Sequence, residues 1–464
     1  MESRCEDRGI SAQIDLSFAT SMGGNRSDML TPAARLMRHK SSQDVRDKKN
    51  SGLGSALGRG LISGAADDDP SAIGTYASAG ARFGPDILWT APVTLPMMFT
   101  VVYLSSKLGQ VSGRGLFQAI HDFYPRWLLW IVLTGVVLSN TIEAGADLGG
   151  IAASVGLFAP LPAPLLVTIA AAVIFALQIF GSYTLIRKIF RWLALTLAAY
   201  AAAALLAKPD LVTTLKGTFI ISLEFNEEFL SILVAIIGTT LSAYLYTWQS
   251  NEEVEEKIAN GQTTLSERRG TSDGELRRSR RDILIGMSFS NLIMYFIILC
   301  TGATLHANGQ TDIETAAQAA EALKPIAGDA AGYLFAAGVV SVGFLAVPVM
   351  TTGAAYDLAQ SFGWRGSLHA TAREAPTFYV IIAVVTAIAV AMNFLGFNPM
   401  KALVWSGIVQ GFSTPPLLLL IVLMTNNRRI MGEKVNSRGL NIMASVTTAA
   451  VFAASIGLVV SWFL

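Results

Sequence analysis

The sequence predicts an all-α membrane protein of about eleven helical spans, laid out as two halves of opposite orientation. Three observations carry that reading. The 464 residues are 52% hydrophobic and 14% charged, with a mean hydropathy of +0.49, where a soluble domain gives roughly a quarter of its residues to charge. Apolar runs long enough to cross a hydrocarbon core of about 30 Å recur along the chain. Basic residues collect on alternate loops, as they do where the cytoplasmic side keeps the Lys and Arg excess. A formal net charge of +1 argues against a nucleic-acid partner, which needs a concentrated positive surface. Cys5 lies in a polar tail and Cys300 inside an apolar run, so the pair makes no disulfide framework and points to no oxidising compartment.

Residues 1–50 are polar, mix both signs of charge and lack an apolar stretch of signal-peptide length, which predicts a disordered cytoplasmic tail. Spans are predicted near residues 53–82, 86–106, 127–157, 163–183, 189–207, 229–249, 283–304, 331–356, 376–396, 400–424 and 440–463. With the N-terminus inside, tail-side loops carry Lys107, Arg114 and Arg126, then Arg187, Lys188 and Arg191, then a basic run from Lys257 to Arg281. That side later receives Arg365, Arg373, Arg428, Arg429 and Lys434, whereas the opposite side holds Arg82, Lys208, Lys216 and Lys324 among acids such as Asp210, Asp312 and Glu321. An odd number of spans places the C-terminus outside. The stretch 250–282 reads as a solvated, mobile connection. It divides a transporter core, 51–425, into halves at 53–207 and 229–424 that can be laid on one another inverted, and 426–464 adds one further span. Trp127, Trp130, Trp192, Trp364 and Trp462 fall at predicted boundaries, as interfacial anchors do.

The chemistry concentrates in the first span, where Asp67, Asp68 and Asp69 precede Pro70 in the middle of an apolar run. A charge at bilayer depth costs several kcal/mol, and irregular backbone is tolerated there only inside protein or along a water-filled cavity. The break is therefore expected to face the bundle interior. Pro70 removes a donor and disfavours helix at Asp69. Carbonyls freed near Ala65 and Ala66 would then join the Asp69 carboxylate as hard oxygen ligands for a cation. Asp67 and Asp68 read as gate groups or as supports of that ligand set. Two plainer readings stay open: the acids form a surface loop between short spans, or they cap the following helix. Against the loop stand flanking segments too short to span on their own.

The sixth span carries the corresponding interruption: Gly238 is followed by Thr239, Thr240 and Ser242, hydroxyls that serve either as oxygen ligands or as bonds to their own backbone. In the third span Glu143 and Asp147 lie at i, i+4 among Gly145, Gly149 and Gly150. Stacked acids on one membrane helix suggest an ion or proton pathway, the alternative being one acid buried against a basic partner and the other beside an aqueous vestibule. His39, His121, His306 and His369 fall in the tail or loops, so none is central. Glycine ladders such as Gly60 with Gly64 and Gly145 with Gly149 read as packing surfaces.

These residues are recognisable together. The run Gly58-Arg-Gly-Leu-Ile-Ser-Gly, continuing through Asp69-Pro70-Ser71 to Ala79-Gly80-Ala81-Arg82-Phe83-Gly84, resembles the opening of the natural-resistance-associated macrophage protein (Nramp) family of divalent-metal transporters. Further matches lie at Asp147, over Arg187 to Tyr200 and around the sixth span, and the chain reads as a divergent bacterial-type relative. The resemblance implies the LeuT-like fold of the sodium-coupled amino-acid symporters, five plus five inverted spans with discontinuous first and sixth helices and alternating access to a midplane site. It assigns the metal-binding aspartate to Asp69 and the carbonyl ligands to Ala66 and Thr239. Ser242 stands where the family has a metal-binding methionine and Ala72 where it has asparagine. Tyr244 and Gln249 replace two histidines, and Gly150 replaces a second acid. Ser71, Ala72, Tyr244 and Gln249 are expected to line or gate the site. Loss of the thioether favours harder ions, so Mg²⁺ joins Mn²⁺ and Fe²⁺ as a candidate cargo. Loss of the histidines and the acid weakens the case for proton coupling.

Two other classes are weighed. An organic-solute symporter of the same fold would need a site that tolerates consecutive acids beside a substrate carboxylate. An intramembrane aspartyl protease built on Asp69 and Asp147 would need two carboxylates sharing a proton and a further catalytic signature. The expectation is a monomeric, multi-pass transporter of the plasma (inner) membrane, not an enzyme, with a divalent metal ion as its small partner and protons left open as a second, lipid around it and no resident cofactor.

Overall fold

Every regular element of this chain among the described residues is helical. The computed structural model describes Gly64 and residues 66–180, 198–324, 328–367 and 370–463. The predicted tail, the opening of the first span, the end of the fourth, the first half of the fifth with Arg187, Lys188, Arg191 and Trp192, and His369 lie outside them. Helix α1 spans Pro70–Phe83 and α2 Thr90–Ser112. The two meet at 114°, and α2 ends on Gly113 at φ 67°, a left-handed position that glycine occupies without strain. Then come α3, Leu116–Phe123, α4, Arg126–Val155, and α5, Ala163–Phe180. Helices α6, Glu227–Thr240, and α7, Ala243–Ala259, are separated by two non-helical residues, Leu241 and Ser242. The remaining long helices are α8, Asp273–Thr304, α9, Ala331–Phe362, α10, Pro376–Met392, α11, Pro399–Asn426, and α12, Arg438–Ser461.

Among the described residues seven segments are long and apolar enough to cross a membrane, or eight if the bent α1 and α2 count as one. Burial ranks them. The most apolar window of the interrupted α6–α7 segment is 89% buried, while those of α10 and α12 are 28% and 33% buried, so α6 and α7 run through the centre and α10 and α12 lie at the periphery. Trp127, Trp130, Trp364 and Trp462 are all exposed.

The central helices approach closely because glycines face each other. A methyl on Gly238 of α6 would lie 1.9 Å from the Gly407 carbonyl of α11, and one on Gly64 would lie 2.2 Å from the Gly286 carbonyl of α8. Both contacts need a bare Cα on one side.

The connection across 250–282 departs from expectation. Helix α7 extends to Ala259 and α8 begins at Asp273, and the short stretch between is tied down. Capping boxes form at Thr264 with Glu267 and at Ser272 with Glu275. Gly270 N donates to Val111 O at 2.9 Å, and Lys257 Nζ donates to Arg268 O at 2.6 Å and Gly270 O at 2.7 Å. The Thr-Leu-Ser-Glu and Ser-Asp-Gly-Glu spacings were the local signal for this order.

Candidate cation site

Pro70 opens α1 with its φ already set, and Asp69 at extended φ −64°, ψ 172° is the N-cap. Asp69 Oδ1 accepts from Ala72 N and from Ser71 Oγ, each at 2.7 Å. The cap reading and the burial reading hold together: Asp67, Asp68 and Asp69 are all 0% exposed, so the surface-loop alternative falls. The other Asp69 oxygen, Oδ2, lies 3.0 Å from the Tyr244 hydroxyl, which is also 2.8 Å from Ala66 O. One phenolic proton thus serves two oxygens that the sequence nominates as cation ligands.

The opposing break is at the end of α6. Leu241 O accepts from Thr414 Oγ1 at 3.1 Å and from the Tyr246 hydroxyl, so the carbonyl freed by the interruption is satisfied across the bundle. Ser242 Oγ turns back to Gly238 O at 2.9 Å and Thr239 O at 2.8 Å. In this conformation the Thr239 carbonyl is therefore capped by Ser242, and Thr239 Oγ1 bonds Ala235 O at 3.0 Å.

Helix α4 brings its two acids to the same place. Ser71 N donates to Asp147 Oδ1 at 2.9 Å, and Ser71 Oγ lies 3.1 Å from Glu143 Oε1. Both acids are 0% exposed. Ser71 thus joins Asp69, Glu143 and Asp147, while Ser290 of α8 joins Asp67 Oδ2 at 2.6 Å to Asp68 Oδ1 at 3.2 Å. Hydroxyls, amides and backbone N–H groups are the partners throughout. The ion pairs of the described residues lie at the rims instead, among them Arg82 with Glu228, Arg114 with Asp122 and Lys401 with Glu314. The alternative of a basic partner for Glu143 or Asp147 is not realised among them. Asp67 Oδ1, Asp68 Oδ2 and Asp147 Oδ2 are buried without a hydrogen bond, an electron-rich interior that calls for positive charge. No three acidic, histidine or cysteine side chains among the described residues form a closed metal cage.

Gln249 Nε2 donates to Glu253 Oε1 at 3.1 Å, one turn further along α7. Gly150, which stands where the family has a second acid, is closely packed: a Cβ there would lie 3.3 Å from the Leu403 methyls and 3.4 Å from Pro70 Cβ. Sequence reasoning missed Gln410. From α11 it donates to Glu143 Oε2 and, at 3.3 Å, to Asn140 Oδ1, and it accepts from Ala243 N at 3.4 Å, tying both breaks to α4. It also missed Ser290 and Asp357. A lone amide in the apolar run 400–424 was the available signal for Gln410.

Carboxylates buried at interrupted helices, within a bundle whose segments are long and apolar enough to cross a membrane, are the architecture of a multi-pass membrane transporter. The chain matches the natural resistance-associated macrophage protein-like family over residues 60–461 and belongs to it. It is 27% identical over 393 residues to the divalent metal cation transporter MntH of Klebsiella pneumoniae (strain 342), covering 82% of this chain and 88% of the relative. Its fold is similar to the crystal structure of the Eremococcus coleocola manganese transporter in complex with an aromatic bis-isothiourea substituted compound. That match has a TM-score of 0.66 at 18% identity and covers 89% of this chain and 87% of the other. It is also similar to Mhp1, a nucleobase-cation-symport-1 family transporter in a closed conformation, with a TM-score of 0.53 at 14% identity over 86% and 89% of the two chains.

Proposed function

We propose that this protein carries a divalent metal cation, Mn²⁺, Mg²⁺ or Fe²⁺, across the plasma membrane by alternating access, as a facilitator weakly coupled or uncoupled to protons. The observation that carries the reading is the Asp69 carboxylate, fully buried at a helix break beside the Ala66 carbonyl. Family membership and the metal transported by the similar MntH proteins support it. The ligand set we assign is Asp69, the Ala66 and Thr239 carbonyls and Ser242. Opening of the site requires Tyr244 to leave Ala66 and Ser242 to release Thr239 O. Asp67, Asp68, Ser71 and Ala72 shape the approach, and Glu143 with Asp147 forms an ion pathway alongside. Ser242 in place of a thioether favours hard ions, and Mg²⁺ is suited to a site with few protein ligands because it keeps much of its water. The architecture we assign is eleven spans, with inverted halves over 53–207 and 229–424, a cytoplasmic N-terminus, an external C-terminus and a monomeric unit.

The test is uptake into liposomes holding the purified protein. Wild type should accumulate Mn²⁺ and Mg²⁺, each inhibiting the other. Asp69→Asn should abolish uptake while keeping the wild-type elution profile, because the amide removes the only carboxylate we assign to the ion. Unchanged uptake by Asp69→Asn would remove Asp69 from the site.

A further inference from the structure

Beyond the Ser242 break, α7 and α9 face each other along polar stripes. Thr247, Asn251 and Glu255 recur at i, i+4 and i+8 on α7, and Gly353, Asp357 and Gln360 at i, i+4 and i+7 on α9, each set on one helix face. Contacts fix the register. Gln360 Nε2 donates to Asn251 Oδ1 at 2.6 Å, the Tyr356 hydroxyl donates to Glu255 Oε1 at 2.9 Å, and Gly353 points at Thr247 Oγ1, 3.7 Å from where a methyl would sit. Helix α3 closes the far end, with Gln118 N on Gln360 Oε1 at 3.1 Å and Leu116 N on Ser250 Oγ at 3.0 Å.

Two side chains in this seam are left over. Asp357 is 0% exposed and neither carboxylate oxygen has an ion-pair partner or a hydrogen bond of full geometry, the Thr247 hydroxyl being the polar group beside it, and Asn251 is 2% exposed with Nδ2 unbonded. A buried carboxylate without an ion-pair partner is among the costliest arrangements a bundle can hold, and inside a membrane it marks a place that cations visit. The seam starts at the central site. Thr247 Oγ1 donates to the carbonyl of Tyr244, whose hydroxyl meets Asp69, and Thr247 lies about 7 Å along α7 from Ser242 at a rise of 1.5 Å per residue. A hydrated divalent ion needs only one or two carboxylates and keeps several waters. Conduction requires stations that hold an ion weakly enough to pass it on.

We propose that Asp357, flanked by Thr247 and Asn251, is a transient station for the hydrated divalent cation between Asp69 and the cytoplasm. This rests on the metal-transport reading above and on its orientation. The experiment pairs initial Mn²⁺ uptake by the reconstituted full chain with equilibrium Mn²⁺ binding by calorimetry, for wild type, Asp357→Asn, Asp357→Glu and Asp69→Asn. Asp357→Asn should slow uptake by about tenfold with binding within about twofold of wild type, Asp357→Glu should fall between, and Asp69→Asn should lose both. Should Asp357→Asn not fold, Thr247→Val keeps the volume, removes one oxygen and should slow uptake by about threefold. Wild-type uptake by either variant overturns the station, also where only the pH profile moves, because Asp357 would then bind a proton. Loss of Mn²⁺ binding in Asp357→Asn overturns it too, placing Asp357 in the support of the central site. A wild-type protein that carries no divalent ion overturns the transport reading itself.

Discussion

Tyr244 has a single proton to give and faces two acceptors, Ala66 O and Asp69 Oδ2, at 2.8 and 3.0 Å. Its hydroxyl occupies the point that a cation shared by those oxygens would take. Without an ion, the phenol satisfies one of two buried acceptors at a time, and leaving such a group bare costs about 1–3 kcal/mol. Tyr244→Phe therefore destabilises the empty form more than the loaded one. Because binding affinity is measured against the empty form, the variant should bind Mn²⁺ up to about tenfold more tightly. It should also melt at lower temperature when metal-free, with the difference shrinking at saturating Mn²⁺. Calorimetric titration and a thermal melt with and without metal check both expectations. Weaker binding in Tyr244→Phe would show instead that the phenol oxygen is itself a ligand.

The packing of α6 against α11 shows how an element-level contact holds the site in place. Gly238 faces the Gly407 carbonyl at a distance that admits no Cβ, and three residues later the chain leaves the helix at Leu241. Gly238→Ala must push α6 away from α11, which carries Gln410 and Thr414, the partners of Ala243 N and Leu241 O. Overpacking of this kind costs about 1–3 kcal/mol, so the melting temperature should fall and transport with it. Gly439→Ala on α12 has nothing within 4 Å of the added carbon and should melt at or above wild type, since alanine is favoured over glycine in a helix by up to about 1 kcal/mol. Equal melting of the two variants would show that the close approach is not limiting. The same two elements show what the sequence could and could not disclose. Three acids before a proline, and a glycine before a run of hydroxyls, are local violations of an apolar span, so both breaks were legible at Asp69 and near Ser242. Gln410 and Ser290 are isolated polar positions in mostly apolar runs that hold other hydroxyls and amides, and their meaning lies in partners such as Glu143 and Asp67, 267 and 223 positions away. No local pattern encodes those pairings. Asp357 was missed for a simpler reason: the apolar run was expected to end at 356, whereas α9 continues to Phe362 and leaves the acid inside.

For the molecule as a whole, the question is what drives an ion through the centre. Coupling to protons would need titratable groups that alternate between the two faces. At two positions where the family keeps histidines this chain has Tyr244 and Gln249, and the expected second acid is Gly150, packed against Pro70 and Leu403. The membrane potential needs no such group. Each elementary charge crossing 100 mV gains about 2.3 kcal/mol, so a divalent cation entering a negative interior gains about 4.6 kcal/mol, enough for accumulation of roughly a thousandfold or more. The expected behaviour of proteoliposomes with a potassium diffusion potential, negative inside, is Mn²⁺ uptake that rises with the imposed potential while an internal pH dye stays flat. An imposed pH gradient without a potential should add little. Internal acidification in step with Mn²⁺ entry would instead show that protons travel with the metal, and Glu143 and Asp147, joined to Asp69 through Ser71, would be the first acids to replace.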